Sequence, residues 1–163
     1  MSDDLYDRDI VLWSEHQADL LRRHAAGERV NDADLDWPNI VEEIESVGNS
    51  ELRAVESLLR QALTHVLKIR AWPDASYVGH WRVEARVFRD DAISRFVPSM
   101  RQRIDLPGVY RRALRALPPR IDGQPPLPVP RTCPDTLDAL LSENPCEMFP
   151  GDDVGDDVGD DVR

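Results

Sequence analysis

Two apolar stripes joined by a Trp-Pro bend constrain this chain more than any other feature. Leu52, Val55, Leu59, Ala62, Val66 and Ile69 recur in alternating steps of three and four, and Leu58, Leu63 and Leu67 widen the band. That repeat belongs to a helix burying one side. The run stops at Trp72-Pro73-Asp74, because proline disfavours helical backbone in the residue before it. Val78, Trp81, Ala85, Phe88, Ala92 and Phe96 then repeat the pattern over about 78–96, where Pro98 closes it. A short connection makes such helices antiparallel neighbours. Reflecting the sequence about Asp74-Ala75 sets His65 level with Glu84, and the sole lysine, Lys68, level with Trp81. A polar seam is therefore expected along the margin of the pair, with Lys68 over or beside Trp81.

The flanking segments also read as helical. Tyr6, Ile10, Trp13, Leu20 and Leu21 keep helical spacing up to Gly27, predicting one helix over about 4–26. Asp36 stands where an N-cap belongs, with Pro38 in the first turn and Glu42, Glu43 and Glu45 following. Gly48-Asn49-Ser50 is expected to stop or kink this helix, since Gly and Asn tolerate left-handed backbone. Further on, Asp105 and Pro107 start a helix carrying Leu106, Tyr110, Ala113, Leu114 and Leu117. Seven of the thirteen prolines fall between 118 and 134, which predicts an extended strap laid over the bundle. Thr132 is expected to cap a short last helix with Asp135 in its first turn, followed by Leu137, Leu140 and Leu141. The whole reads as an all-α, compact bundle of about five to six helices in a single domain, 1–150. The repeated Gly-Asp-Asp-Val segment over 151–163 is expected to be a disordered acidic tail.

Composition narrows the function classes. No apolar run reaches the ~20 residues that cross a bilayer, and the acidic Met1-Ser2-Asp3-Asp4 is unlike a secretory leader. The expectation is a soluble cytoplasmic protein whose two cysteines, Cys133 and Cys146, stay reduced. The net charge of −11 conceals an asymmetry: residues 1–56 sum to −10, while 57–135 sum to +7. An acidic whole repels nucleic acid at long range, so the basic middle is expected to meet acids within the fold or on a partner. A homodimer or a partner protein follows as the expected association.

Several segments together resemble a bacterial family described as domain of unknown function 29. The resemblance rests on Tyr6-Asp7-Arg8-Asp9 with Trp13, on Leu20-Leu21-Arg22, and on the run from Asp36-Trp37-Pro38-Asn39 through Glu42-Glu43-Ile44-Glu45 to Gly48. It continues with His65-Val66-Leu67-Lys68, Trp81, Arg86, Pro98-Ser99, Tyr110 and Pro130-Arg131-Thr132-Cys133-Pro134, spanning roughly 4–145. Two positions depart from the family pattern: Ala85 stands where a glutamine is usual, and Asp135 where a tyrosine is. The resemblance implies an all-helical fold and no established activity, substrate or cofactor.

The candidate site residues are His65, Lys68, Glu84, Trp81, Arg86, Glu42 and Glu45, as a polar network or a ligand pocket. Glu42 and Glu45 share a helix face and, with His65, have the ligand chemistry of a metal site. Distance opposes that trio, since twenty residues of straight helix separate Glu45 from His65 by about 30 Å. No cofactor is expected. A hydrolase-like bundle centred on His65 and Glu84 is the alternative, and weak nucleic-acid binding by Arg101, Arg103, Arg111, Arg112 and Arg115 is another. An acidic face of Glu42, Glu43 and Glu45 set against Arg82, Arg86 and Arg89 would give inter-helix ion pairs. Cys133 ahead of Pro134 is read as a small buried apolar residue before a reactive thiol.

Overall fold

In the computed structural model, residues 3–151 are described. The Gly-Asp-Asp-Val repeat lies outside them from Asp152 onward. Among the described residues the elements are α1 (Asp3–Arg8), α2 (Ile10–Ala25), α3 (Trp37–Ala71), α4 (Val78–Arg95), α5 (Leu106–Arg115) and α6 (Leu137–Leu140). Short 3-10 turns stand at Asp32–Asp34 and Pro98–Met100. The fold class is all-α. The chain divides into two compact units, Met1–Ser50 and Glu51–Arg163.

In the first unit the expected single helix is two. Asp9 leaves the helical region (φ −152°, ψ 85°), and its carboxylate accepts from the Leu12 amide, so it caps α2 and breaks the run. A short side chain able to bond its own backbone outcompetes helix continuation here. Gly27, at φ +80°, takes the left-handed conformation just past the end of α2. Trp13, Leu20, Leu35 and Ile40 form the buried cluster, with Leu5, Tyr6, Leu21 and Val30 around it.

Helix α3 corrects a second expectation, because it runs through Gly48-Asn49-Ser50 without interruption. A glycine inside a helix costs about 1 kcal/mol of propensity, and α3 carries that cost without a break. In the second unit Val55, Leu59, Ala62, Leu63 and Leu67 are wholly buried. They join Ala85 and Ala92 of α4 and Val109, Tyr110 and Ala113 of α5 in one core, which Leu140, Met148 and Phe149 close from the C-terminal segment. Asp105 caps α5 by accepting from the Gly108 amide at 3.1 Å.

The proline-rich segment packs on this core through its backbone. The Trp72 indole donates to the Gln124 carbonyl, the Leu127 amide to the Ala71 carbonyl, and the Tyr110 hydroxyl to the Pro130 carbonyl at 2.8 Å. Its middle is a tight turn rather than polyproline: Ile121 and Gln124 exchange both backbone bonds, with Asp122 and Gly123 at φ +51° and +75°. Asp-Gly is the dipeptide that favours two consecutive positive φ angles. The last helix also starts later than expected. Thr136, not Thr132, caps α6, and the Asp135 carboxylate instead accepts from the Glu147 and Met148 amides.

Candidate functional site

The α3–α4 pairing places the seam residues as follows. His65 Nε2 lies 3.1 Å from Glu84 Oε2, and His80 Nε2, one turn before Glu84 on α4, lies 3.3 Å from Oε1. One carboxylate thus spends both oxygens on two imidazoles. The His65 ring stacks on Phe88 at 5.7 Å with 11° between planes. Lys68 Nζ stands 5.7 Å from the centre of the Trp81 ring. His80 was not among the residues singled out from sequence, although its i, i+4 spacing to Glu84 was a readable signal.

Burial pushes the His65 pKa down, against the opposing pull of Glu84, with Lys68 and His80 adding to the depression. His65 is thus neutral at neutral pH, and its 3.1 Å approach to Glu84 is a polar contact rather than a pair of opposite charges. Its Nδ1 is buried without a partner, a cost of about 1–3 kcal/mol by the usual measure of an unsatisfied buried group. Acid–base chemistry needs a substrate beside the pair, and two clefts of the molecule are lined by other residues. One of about 380 Å³ is lined by Ala71–Ala75 and the Ile121–Leu127 turn, and one of about 360 Å³ by Arg89, Ile93 and Glu143. Among the described residues no group of three or more His, Cys, Asp or Glu could hold a metal ion.

The acidic motif of α3 separates into an inward and an outward side. The buried Asp36 carboxylate accepts from the Trp13 indole at 3.0 Å and the Asn39 amide at 2.8 Å, while its own backbone N–H donates to Gln17. Asp36 therefore ties α2 to the start of α3. Glu43 accepts from the Tyr6 hydroxyl at 2.6 Å, and that bond, with the neighbouring carboxylates, pushes the phenol up to about 12. Glu42 and Glu45 are exposed. Trp37, Val41, Ile44 and Val47 are exposed with them, at 42%, 51%, 68% and 66% of their full surface.

The arginines resolve differently from expectation. Arg89 is buried, and its guanidinium donates to the carbonyls of Ala139, Leu140, Ser142 and Asn144 while lying 4.7 Å over the Phe149 ring. Arg82 and Arg86 are exposed on α4. In the proposed basic cluster, Arg101 pairs with Asp138 at 2.7 Å, Arg112 with Glu56 at 3.8 Å and Arg111 with Asp105 at 4.0 Å. Much of its charge is met within the fold. Cys133 and Cys146 are free thiols whose pKa values burial raises, the opposite of an activated nucleophile.

An all-helical protein with a polar seam between two helices and an exposed apolar helix face is what these observations define. The chain belongs to the family described as domain of unknown function DUF29, whose model matches residues 5–145. It is similar to an alpha-helical protein of unknown function from Rhodospirillum rubrum ATCC 11170. The two are 30% identical over 85% of this chain and 90% of that one, with a TM-score of 0.58. No curated protein matches the sequence. No described helix is long and apolar enough to cross a membrane.

Proposed function

We propose that this protein is a helical docking module whose N-terminal half of α3 receives an apolar helix face with basic flanks. The single observation that carries this reading is the ridge Trp37-Val41-Ile44, exposed on a helix whose adjoining side is already engaged by Tyr6, Trp13 and Gln17. At 100° per residue the three side chains and Gly48 fall within an arc of about 60°. Val55, Leu59, Ala62 and Val66 continue that arc, and there it is buried. One stripe is thus packed along half of its length and bare along the rest. Contiguous apolar exposure of this kind marks association surfaces more than solvated ones.

Charge specifies the occupant. Positions 37–51 hold Glu42, Glu43, Glu45 and Glu51 and no base, so the partner's flanks are basic. The seam at His65 and Glu84 serves the fold in this reading, as a polar contact between α3 and α4. To test it, a photo-crosslinking phenylalanine analogue is placed at Ile44 of the full chain in cells, with Glu15 on α2 as the control position. A discrete adduct at position 44, absent at 15 and lost when Glu45 is changed to Arg, is expected. Equal labelling at both positions refutes the docking face.

A further inference from the structure

We infer that the acidic repeat of residues 152–163 docks in cis on a basic groove between α3 and α5, an assignment that does not rest on the docking reading above. Two contacts to Glu56 place that groove: its carboxylate accepts from the Asp105 amide at 3.4 Å and lies 3.8 Å from the Arg112 guanidinium. They lay α5 beside α3, and Val109 and Ala113 of α5 enter the core that Val55 and Leu59 of α3 also fill. Arg53 and Arg60 stand one helical turn to either side of Glu56, and Arg115 stands one turn beyond Arg112. All three are exposed, and among the described residues none of them meets a carboxylate.

The groove has few acids of its own. From Ser57 to Ala71 and from Leu106 to Ile121 there is no aspartate or glutamate, while the two spans hold seven arginines or lysines. Glu56 and Asp105 lie at its near end, where Arg112 and Arg111 already meet them at 3.8 Å and 4.0 Å. Glu51, the next acid along α3, is taken by Arg95 at 3.4 Å. Arg53, Arg60 and Arg115 are thus left to attract an anion.

Sign, reach and tether choose the occupant. Residues 152–163 hold six aspartates, in adjacent pairs every four residues, against the single Arg163. Successive pairs can stand up to about 13 Å apart, which spans the roughly 10 Å between Arg53 and Arg60 on a helix. Gly151, the last described residue, lies against the Pro145 ring in the same unit as α5. Twelve further residues reach up to about 40 Å, against about 35 Å across a unit of this size. A tether this short holds the repeat near the groove at about millimolar effective concentration, so a weak ionic contact is populated in cis. A phosphodiester polymer would meet the same arginines only against the repulsion of an acidic chain.

The test places a photo-crosslinking phenylalanine analogue at Val158 of the full chain and maps the products by tandem mass spectrometry. Adducts within one chain, to residues 53–64 and 106–117, are expected. Their yield should fall about fivefold or more as sodium chloride rises from about 20 mM to about 0.5 M, where the screening length drops to about 4 Å. Arg60→Glu combined with Arg115→Glu should lower the yield comparably with helical circular dichroism unchanged. Changing Asp152, Asp153, Asp156, Asp157, Asp160 and Asp161 together to Asn should do the same while leaving every described residue as it is. Adducts scattered over the unit, confined to another face or formed on a second chain overturn the proposal, as does a yield that neither salt nor the aspartate changes move. A sulfated polysaccharide bound equally tightly by the wild-type chain and the aspartate variant also overturns it, because the groove would then stand open to an anion in trans.

Discussion

Arg89 offers the sharpest quantitative test of the second unit. The side chain is 7% exposed and donates to four carbonyls, of Ala139, Leu140, Ser142 and Asn144. Those carbonyls stand in and just after α6, whose C-terminal carbonyls would otherwise lack partners. Arg89→Ala removes every donor at once. A hydrogen bond to a charged group contributes about 1.5–3 kcal/mol, and bonds sharing one donor do not add. Loss of the 4.7 Å stack on Phe149 contributes about 0.5–2 kcal/mol more. Part of the cost is recovered as the released carbonyls meet water. A net destabilisation of about 3–5 kcal/mol is therefore expected for the contacts between α4 and residues 137–149. Arg89→Lys keeps the charge but not the planar fork, and should lose about half as much. The assay is hydrogen exchange read by mass spectrometry, with urea unfolding of the same variants. In Arg89→Ala, amides over 137–149 should lose protection while those of Val55–Leu67 keep theirs. Wild-type protection over 137–149 in Arg89→Ala, or an Arg89→Lys equal to wild type, would refute the reasoning.

Four further outcomes are expected. Asp36→Ala should cost about 2–4 kcal/mol in urea unfolding, since it strands the buried Trp13 indole and the Asn39 amide together. Gly48→Ala should raise stability by about 0.5–1 kcal/mol, because the glycine sits inside a helix with nothing within 4 Å of an added Cβ; a lower urea midpoint would count against the unbroken helix. The folded pKa of His65 is depressed by burial, so the unfolded state binds more protons below the ordinary value near 6.5. Stability should hold at about pH 7.5 and fall as pH drops through that value, with His65→Gln losing the decline that His65 contributes. Cys133 and Cys146 should react with a disulfide reagent more slowly than a small thiol at neutral pH, since burial raises both.

The second unit was the more legible part of the sequence, for a physical reason. Its helices are amphipathic over many turns, so stripe, bend and stripe together fix an antiparallel register, and from register follow His65 beside Glu84 and Lys68 beside Trp81. Nothing comparable warned of Asp9, because one carboxylate that accepts from Leu12 decides locally against a helix that periodicity favours on both sides. At Gly48 the error ran the other way: local chemistry allowed a stop, and a single glycine costs too little to end a long helix. The Asp122-Gly123 turn was written in the sequence but hidden by seven surrounding prolines. Arg89 was misread because charge summed over segments cannot tell a guanidinium that meets carboxylates from one that meets helix-end carbonyls.

The acidic motif of α3 is where sequence and structure part most usefully. Asp36, Asn39 and Glu43 are accounted for by bonds to Trp13, Asp36 and Tyr6 inside the first unit. Glu42 and Glu45 lie beyond the first turn of α3, where dipole compensation acts, and need no special role if they only solvate the helix surface. That account does not extend to their neighbours. A solvated helix face gains from Ala, Lys, Gln or Arg, whereas Val41, Ile44 and Val47 lose side-chain freedom against the preceding turn and expose apolar surface. Three β-branched residues on the outward side of one short stretch thus carry a cost in the isolated chain that neither helix propensity nor the Trp13 cluster offsets. A docked helix would offset it by removing that surface from water, at about 25 cal/mol for each Å² covered. Replacing Val41, Ile44 and Val47 together by alanine separates the cases. If the face exists only for solvent, the triple variant should be more stable in urea and unchanged in association. If it exists for a partner, the isolated chain should gain the same stability while association with that partner is lost.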